Sequence, residues 1–261
     1  MNEFLVKLFS NPEVATVKME LFSLWHILYV LVIVAFPFLL ALCLRKADGD
    51  GKTKALRALA IAIFIVYIGD FFIQPFYNDG DLIVDKLPFH ICTVLCPMIM
   101  LAQFSQSKRV QWFYDAIALL AIVGPFMYFV YPNTAFGDTY TPWCYRVIQT
   151  FLYHGLVYSW GVTALIFRRA SCKYKVLPRV LIIQAFITLW ASFGNWAYDH
   201  NWYFLQGLDM GFVEFKYPLT YLIINAGVFL MVMIVFAIEH AALHVTQKRA
   251  EKRSTAVSTA A

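Results

Sequence analysis

The chain has 261 residues, of which 61% are hydrophobic, 18% aromatic and only 14% charged. A soluble domain carries about a quarter charged residues, so this composition excludes an ordinary soluble domain and favours a membrane protein. The net charge of +5 is compatible with nucleic-acid binding, but membrane topology explains the placement of the basic residues better. No nucleic-acid partner is therefore expected.

Seven long apolar segments follow one another along the chain. Each has about the 20 residues that a helix needs to cross ~30 Å of hydrocarbon. The segments are Leu21–Leu44, Ala55–Phe76, Leu87–Phe104, Val110–Tyr131, Tyr145–Phe167, Val176–Tyr198 and Pro218–Leu243. The sequence thus predicts an all-α, polytopic membrane protein with seven transmembrane helices.

The basic residues alternate between the gaps that separate these segments. Sixteen of the 21 Lys and Arg residues lie in every second gap or after the last segment. Those regions are Arg45–Lys54 with Arg57, Lys108–Arg109, Arg168–Lys175 with Arg179, and Lys248–Arg253. Because short basic loops stay in the cytoplasm, we expect the N-terminus outside and the C-terminus inside.

Three regions follow from this topology. Residues 1–20 form an outer N-terminal segment, residues 21–243 a seven-helix membrane domain, and residues 244–261 a basic cytoplasmic tail. The short connection Ser105–Arg109 predicts that the third and fourth helices pack as antiparallel neighbours. The long outer loop His200–Tyr217 is rich in apolar residues, which suggests that it folds back on the membrane surface as a lid or plug.

Polar side chains within the spans concentrate in the predicted outer half of the membrane. Such residues are costly in lipid and usually face the interior of a bundle. Those of the outer half are His26, Asp70, His90, Gln149, His154, Asn195 and Asn225, whereas the inner half holds chiefly Asp115 and Gln184. The pattern predicts a polar pocket that opens outward. The alternative is a set of hydrogen bonds that only holds the helices together.

The residue types in this pocket suit acid–base chemistry. A histidine such as His154 can act as a general base, with His90 and Asp70 assisting it. The nucleophile stays open between Cys92 and Thr93: Cys92 points about 200° away from His90 on a helix, so it would need His154 from another helix. We place His26, Gln149, Asn195 and Asn225 as ligand-binding groups. No ligand spacing for a metal is present, and no cofactor is expected.

A family resemblance is carried by the same residues. The stretch Leu87-Pro88-Phe89-His90-Ile91-Cys92 resembles the Leu-Pro-x-His-x-Cys signature of the YwaF-type bacterial integral membrane proteins. Further matching motifs are Trp25-His26, Tyr131-Pro132-Asn133, Tyr153-His154-Gly155, and Asn195 followed by Asn201–Leu205. The resemblance covers nearly the whole chain and implies a seven-span protein of the bacterial cytoplasmic membrane, in a family of unknown function.

The chain is more distantly similar to the eukaryotic transmembrane-protein-164 group. That likeness implies lipid acyl transfer by a Cys and a His within the membrane, and it aligns the histidine with His154. The nucleophile of that group aligns with Phe89, which cannot be acylated. Either Cys92 or Thr93 substitutes for it, or only the pocket is shared.

Three functions follow as alternatives. The first is an outer-leaflet lipid acyltransferase or hydrolase that acts on a phospholipid. The second is a carrier for a small solute, and the third is a module that binds a lipid or a protein partner without chemistry. A retinal pigment is excluded because the seventh segment has no lysine within its span. The oligomeric state does not follow from these patterns.

Overall fold

The computed structural model describes residues 17, 19–73, 87–130, 141–209 and 214–259. Most of the predicted outer segment at residues 1–20 lies outside this part of the chain. The Tyr131-Pro132-Asn133 motif lies outside it too.

The described residues form α-helices joined by short connections, with two 3-10 turns and one small β-ribbon. The helices are α1 (Leu24–Cys43), α2 (Gly49–Ile73), α3 (Ile91–Phe104), α4 (Lys108–Trp112), α5 (Tyr114–Val130), α6 (Tyr145–Ile166), α7 (Leu177–Tyr198) and α8 (Leu219–Thr259). The 3-10 turns are Tyr174–Val176 and Trp202–Phe204, and the strands are β1 (Gly207–Asp209) and β2 (Glu214–Lys216).

Four stretches of described helix are long and apolar enough to cross a membrane. They are Leu24–Cys43, Gly49–Ile73, Tyr174–Tyr198 and Leu219–Ala242. The helices α3 and α5 are also apolar but have only 14 and 17 residues. The helix α6 has 22 residues, and it carries more polar groups because most of it is buried among other helices. The protein is thus an all-α membrane protein, apart from the ribbon.

Two predicted segments differ from the helices that form. The third helix begins at Ile91 rather than Leu87, because Pro88 disfavours helix at the residue before it and His90 is extended (φ −80°, ψ 151°). The fourth segment is broken at Phe113, which adopts a turn conformation (φ −91°, ψ −6°) between α4 and α5. As predicted from the short loop, α3 and α5 pack against each other.

The loops that carry the basic residues meet at one end of the bundle, which we call the basic end. Arg169 of the α6–α7 loop donates to the carbonyl of Gly49 at the start of α2, at 2.6 Å. Arg179 of α7 lies 3.8 Å from the Asp115 carboxylate and donates to the Trp112 carbonyl at 3.0 Å. The alternation read from the sequence therefore matches a physical clustering of these loops.

The opposite end, which we call the histidine end, joins the remaining helix termini. His26 in the first turn of α1 contacts the Phe129 carbonyl at the end of α5, at 3.0 Å. Tyr29 donates to the Pro142 carbonyl just before α6, at 2.7 Å. These contacts are the ones expected of helices that alternate in direction.

The helix α6 occupies the centre and packs against α1, α2 and α5. Small residues on α6 permit this close approach. A Cβ added at Gly155 would lie 2.9 Å from Ile33 of α1, and one at Gly161 would lie 2.6 Å from the Ala118 carbonyl oxygen of α5.

The connection from α7 to α8 contains structure that the sequence did not predict. The strands β1 and β2 pair antiparallel, with Leu208 opposite Phe215. Before them, Asp199, Tyr203 and Phe204 have positive φ angles of 49°, 60° and 54°. The helix α8 continues to Thr259, so the backbone of the predicted tail extends the last helix through most of its length.

Candidate functional site

Tyr203, in the α7–α8 connection, joins two of the predicted site residues. Its backbone N–H donates to Nδ1 of His90 at 3.1 Å. Its hydroxyl accepts from Nε2 of Gln184 at 2.7 Å, and the same Nε2 donates to Oδ1 of Asn225 at 3.0 Å. His90 and Asn225, which lie on different elements, are therefore connected through Tyr203 and Gln184. We call these four residues the Tyr203 cluster.

Asn195 holds the segment that carries Tyr203. Its Nδ2 donates to the Trp202 carbonyl at 3.1 Å, and its Oδ1 accepts from the Trp202 N–H at 2.6 Å. The side-chain amide thus replaces a backbone partner for a segment that turns through the left-handed region at Tyr203. Such a conformation costs about 1–3 kcal/mol in a residue other than glycine, so it needs this support. Asn195 acts on the site by positioning Tyr203.

Phe89 lies in an aromatic cluster and is only 4% exposed. Its ring stacks on Trp190 with centroids 5.0 Å apart and lies 4.7 Å from the ring of Trp202. The ring also presses on the backbone of Gly194, where an added Cβ would come within 2.5 Å. At the position that the resemblance assigns to a nucleophile, this chain therefore has a packed core residue.

A second group of predicted residues surrounds Tyr153. The Tyr153 hydroxyl donates to the Cys92 carbonyl at 2.7 Å, and Cys92 is buried. The Tyr153 ring meets the ring of His154 edge-on at 5.5 Å and lies 5.7 Å from the ring of Tyr67. We call Cys92, Tyr153 and His154 the Tyr153 cluster.

His154 has a defined tautomer. Its Nδ1 lies 2.7 Å from the Thr150 carbonyl oxygen, which can only accept, so Nδ1 carries the proton and Nε2 is the basic nitrogen. The ring stacks on Tyr128 of α5, with centroids 3.9 Å apart and planes 7° apart. The side chain is half-buried. This is the tautomer that a general base on Nε2 requires.

Asp70 is 1% exposed and accepts a hydrogen bond from the Tyr145 hydroxyl. Tyr67, one turn earlier on α2, packs against Tyr153. Because residues three apart share a face of a helix, Asp70 lies beside Tyr67 and next to the Tyr153 cluster.

Cys92 lies where the two clusters meet. Its carbonyl accepts from Tyr153, and it lies two residues after His90, which binds Tyr203. Thr93, the other candidate nucleophile, donates its hydroxyl to the His90 carbonyl at 2.9 Å within its own turn. The arrangement therefore favours Cys92 over Thr93 as the residue that both clusters surround.

His26 and Gln149 have contacts of a different kind. His26 accepts the Phe22 N–H at Nδ1 and donates from Nε2 to the Phe129 carbonyl, each at 3.0 Å. Nε2 thus ties the start of α1 to the end of α5, while Nδ1 fixes the turn that precedes α1. Gln149 accepts from the adjacent Thr150 hydroxyl at 3.3 Å. The His26 bond to Phe129 is typical of a residue that holds helices together, whereas the Gln149 bond lies within α6.

The sequence placed Gln184 in the inner half and Asn225 in the outer half, and the structure corrects this by bringing them into contact. Gln184 lies 14 residues, about 21 Å, before the end of α7, whereas Asn225 lies six residues, about 9 Å, after the start of α8. The helix α8 therefore begins about 12 Å deeper than α7 ends. The α7–α8 connection bridges this difference by folding back into the bundle.

Sequence reasoning missed the tyrosines at the centre of both clusters. Tyr153 and Tyr203 belong to stretches that carried the family resemblance, but their hydroxyls were not assigned a role. A tyrosine buried in a span needs a hydrogen-bond partner, and that need is the signal that would have found them. Among the described residues, no group of three His, Cys, Asp or Glu side chains is arranged to hold a metal ion.

The model of the TMEM164 family matches residues 21–244. The chain belongs to the TMEM164 family. The match covers all the helices described above up to the distal part of α8, and it confirms the more distant of the two resemblances. No curated protein and no solved structure matches the chain.

Proposed function

We propose that this member of the TMEM164 family is an enzyme of the bacterial cytoplasmic membrane that transfers or hydrolyses the acyl chain of a phospholipid. The proposal includes seven membrane spans, with α3 and α5 as short spans and the histidine end facing outward. The basic loops support this orientation, since they meet at the other end of the bundle. The site would then open toward the outer leaflet.

The observation that carries the proposal is the tautomer of His154 beside the Tyr153–Cys92 contact. In this proposal the basic Nε2, fixed by the Thr150 carbonyl, takes the proton of the Cys92 thiol, and Tyr153, which contacts both residues, supports their proximity. The Cys92 sulfur then attacks the ester carbonyl, forming a thioester, and His154 returns the proton to the departing lysophospholipid alcohol. Water or a second alcohol attacks the thioester in the next step, and its proton again passes through His154.

The remaining catalytic candidates have supporting roles in this proposal. Asp70 holds Tyr145 and lies one turn from Tyr67, which packs against Tyr153. His90 fixes the backbone of Tyr203. Tyr153 contacts the Cys92 carbonyl and Tyr203 binds His90, two residues before Cys92, so His90 and Asp70 serve as positioning residues rather than as groups that touch the substrate.

The residues predicted to bind a ligand likewise include structural residues, and one of them remains a ligand contact. The contacts of His26 and Asn195 support a role in holding the helices and the connection in place, whereas the Gln149 bond lies within α6. Asn225 lies at a groove between α7 and α8, and we retain it as a ligand contact.

The test is lipid turnover by the purified protein in vesicles of defined phospholipids, measured by mass spectrometry. We expect lysophospholipid or exchanged acyl chains from the wild type, with a loss of about 10²–10⁴-fold in His154→Ala and a comparable loss in Cys92→Ser. Cys96→Ser is the matched control, because Cys96 is also buried one turn further along α3. Turnover that survives both substitutions would reject the assigned residues.

The absence of turnover by a folded wild type across several lipid classes would reject the enzyme. Lipid binding without chemistry would then be the leading function, since the α7–α8 groove supports it independently. Solute transport would be the next alternative to test.

A further inference from the structure

A groove runs between α7 and α8 on the outside of the bundle. Its cavity has a volume of about 360 Å³, within the range of small-ligand sites. Leu181, Leu189 and Phe229 line it and are 44%, 66% and 43% exposed. Because the protein lies in a membrane, apolar side chains exposed in this way face lipid chains. The groove is thus open to the bilayer.

The floor of this apolar groove is polar. Gln184, Thr188 and Asn225 line it, and the Thr188 hydroxyl donates to Oδ1 of Asn225 at 2.8 Å. The Nδ2 of Asn225 donates to the Tyr221 carbonyl at 2.9 Å, which fixes the orientation of the Asn225 amide. Oδ1 of Asn225 therefore faces Gln184, and Gln184 must present its Nε2 to it.

This orientation leaves one acceptor unsatisfied. Gln184 is only 6% exposed, and its Oε1 has no hydrogen-bond partner among the described residues. A buried acceptor without a donor is destabilising, and it is satisfied by any occupant that brings a hydroxyl or N–H. The groove floor therefore favours an occupant with a donor, which reaches this enclosed oxygen where the overlying groove side chains move aside.

The depth of the floor restricts what can supply that donor. Gln184 lies ten residues from Tyr174 and 14 from Tyr198 in the apolar stretch Tyr174–Tyr198, or about 15 Å and 21 Å. The floor thus lies near the middle of the span. None of the residues that line the groove is charged. A charged headgroup at this depth would be costly and unpaired, whereas an uncharged hydroxyl can enter.

We propose that the groove between α7 and α8 binds an uncharged lipid with a free hydroxyl, of the diacylglycerol class. The hydroxyl donates to Oε1 of Gln184, and the acyl chains lie along Leu181, Leu189 and Phe229. This inference requires no chemistry at Cys92. Because Tyr203 connects Gln184 to His90, two residues before Cys92, a lipid bound here is also placed to accept an acyl chain if the proposed enzyme function holds.

The test uses a photoactivatable diacylglycerol analogue in phosphatidylcholine vesicles that contain the full-length protein. We expect crosslinked peptides from α7 and α8 that include groove residues, with unlabelled diacylglycerol competing. The same analogue with its hydroxyl acetylated should label about tenfold less, the loss expected for one hydrogen bond. This comparison is made on the wild type, so it does not depend on any variant folding.

Two variants sharpen the result. Gln184→Leu keeps the volume but removes the acceptor, and it should abolish the preference for the free hydroxyl. Ala185→Trp fills the groove from an exposed lining position and should reduce all labelling. Equal labelling by the free and acetylated analogues would overturn the proposal. So would labelling outside α7 and α8, or protein–protein crosslinks showing that a second copy fills the groove.

The outcome is separable from that of the enzyme proposal. Labelling of Cys92→Ser should equal that of the wild type, because the groove does not use the thiol. Hydroxyl-dependent labelling without lipid turnover would support the lipid site in the groove and reject the enzyme proposal. Lipid turnover without hydroxyl-dependent labelling would support the enzyme proposal and reject the lipid site.

Discussion

The packing of α6 against α5 makes a sharp prediction for Gly161→Ala. The added methyl group would lie 2.6 Å from the Ala118 carbonyl oxygen and 2.9 Å from a side-chain carbon of Ile122. The nearer atom belongs to the backbone of a neighbouring helix, so it cannot move aside by a rotamer change. Either the two helices separate or the strain remains.

A matched control isolates the packing effect. At Gly69 in α2, an added Cβ meets nothing within 4 Å. Both substitutions gain about 1 kcal/mol of helix propensity, so Gly69→Ala should stabilise the protein by that amount. Overpacking in a core costs about 1–3 kcal/mol, and contact with a backbone atom places Gly161→Ala at the upper end. We expect the two variants to differ by about 3 kcal/mol in the free energy of unfolding.

The assay is thermal unfolding of the purified variants in detergent, followed by tryptophan fluorescence. A difference of 3 kcal/mol corresponds to roughly 6–12 °C, with Gly69→Ala above the wild type and Gly161→Ala below it. If Gly161→Ala unfolds at the same temperature as Gly69→Ala, the α5–α6 contact described here is wrong.

Two further predictions concern the loops. Burial raises the pKa of Cys172 to about 12. At pH 7.5 its thiol should therefore react with a maleimide at least a hundredfold more slowly than an exposed thiol introduced next to it by Lys173→Cys. Each thiol is measured as the single cysteine in an otherwise cysteine-free background. Because the thiolate is the reactive form, the rate at which Cys172 is labelled should increase as the pH rises. Fast labelling at neutral pH would contradict its burial. Asn195→Leu removes both hydrogen bonds to Trp202 and should destabilise the protein by about 2–4 kcal/mol in thermal unfolding. Ser192→Ala, one turn earlier, loses only a bond to its own helix and should change little; equal effects would show that Asn195 does not hold the connection.

Helix placement was the part of the fold that the sequence predicted best. Runs of about 20 apolar residues have few alternatives to membrane helices, and the basic loops cluster as their alternation required. The errors in the predicted helix bounds come from the local backbone conformation. Pro88 delayed the start of α3, and Phe113 broke the fourth segment for a reason that no residue pattern signals.

The candidate site was harder to predict because its central residues lie in a loop. The depth of a side chain was read by counting along its helix, which fails where a connection re-enters the bundle. The helix α8 starts about 12 Å deeper than that counting assumes, so Gln184 and Asn225 meet although they were assigned to different halves. Tyr203 adopts a left-handed conformation that requires the Asn195–Trp202 pair, a contact across seven residues that no local propensity encodes.

The most direct test of the proposed acyl chemistry is to look for the acyl–enzyme itself. The purified wild type would be mixed with phospholipid vesicles and quenched with acid, and its α3 peptide analysed by mass spectrometry. Our account predicts an acyl group on Cys92 that is removed by hydroxylamine, and that is lost in His154→Ala but retained in Cys96→Ser. Lipid turnover with no adduct on Cys92, or with an adduct on Cys96 instead, would contradict it.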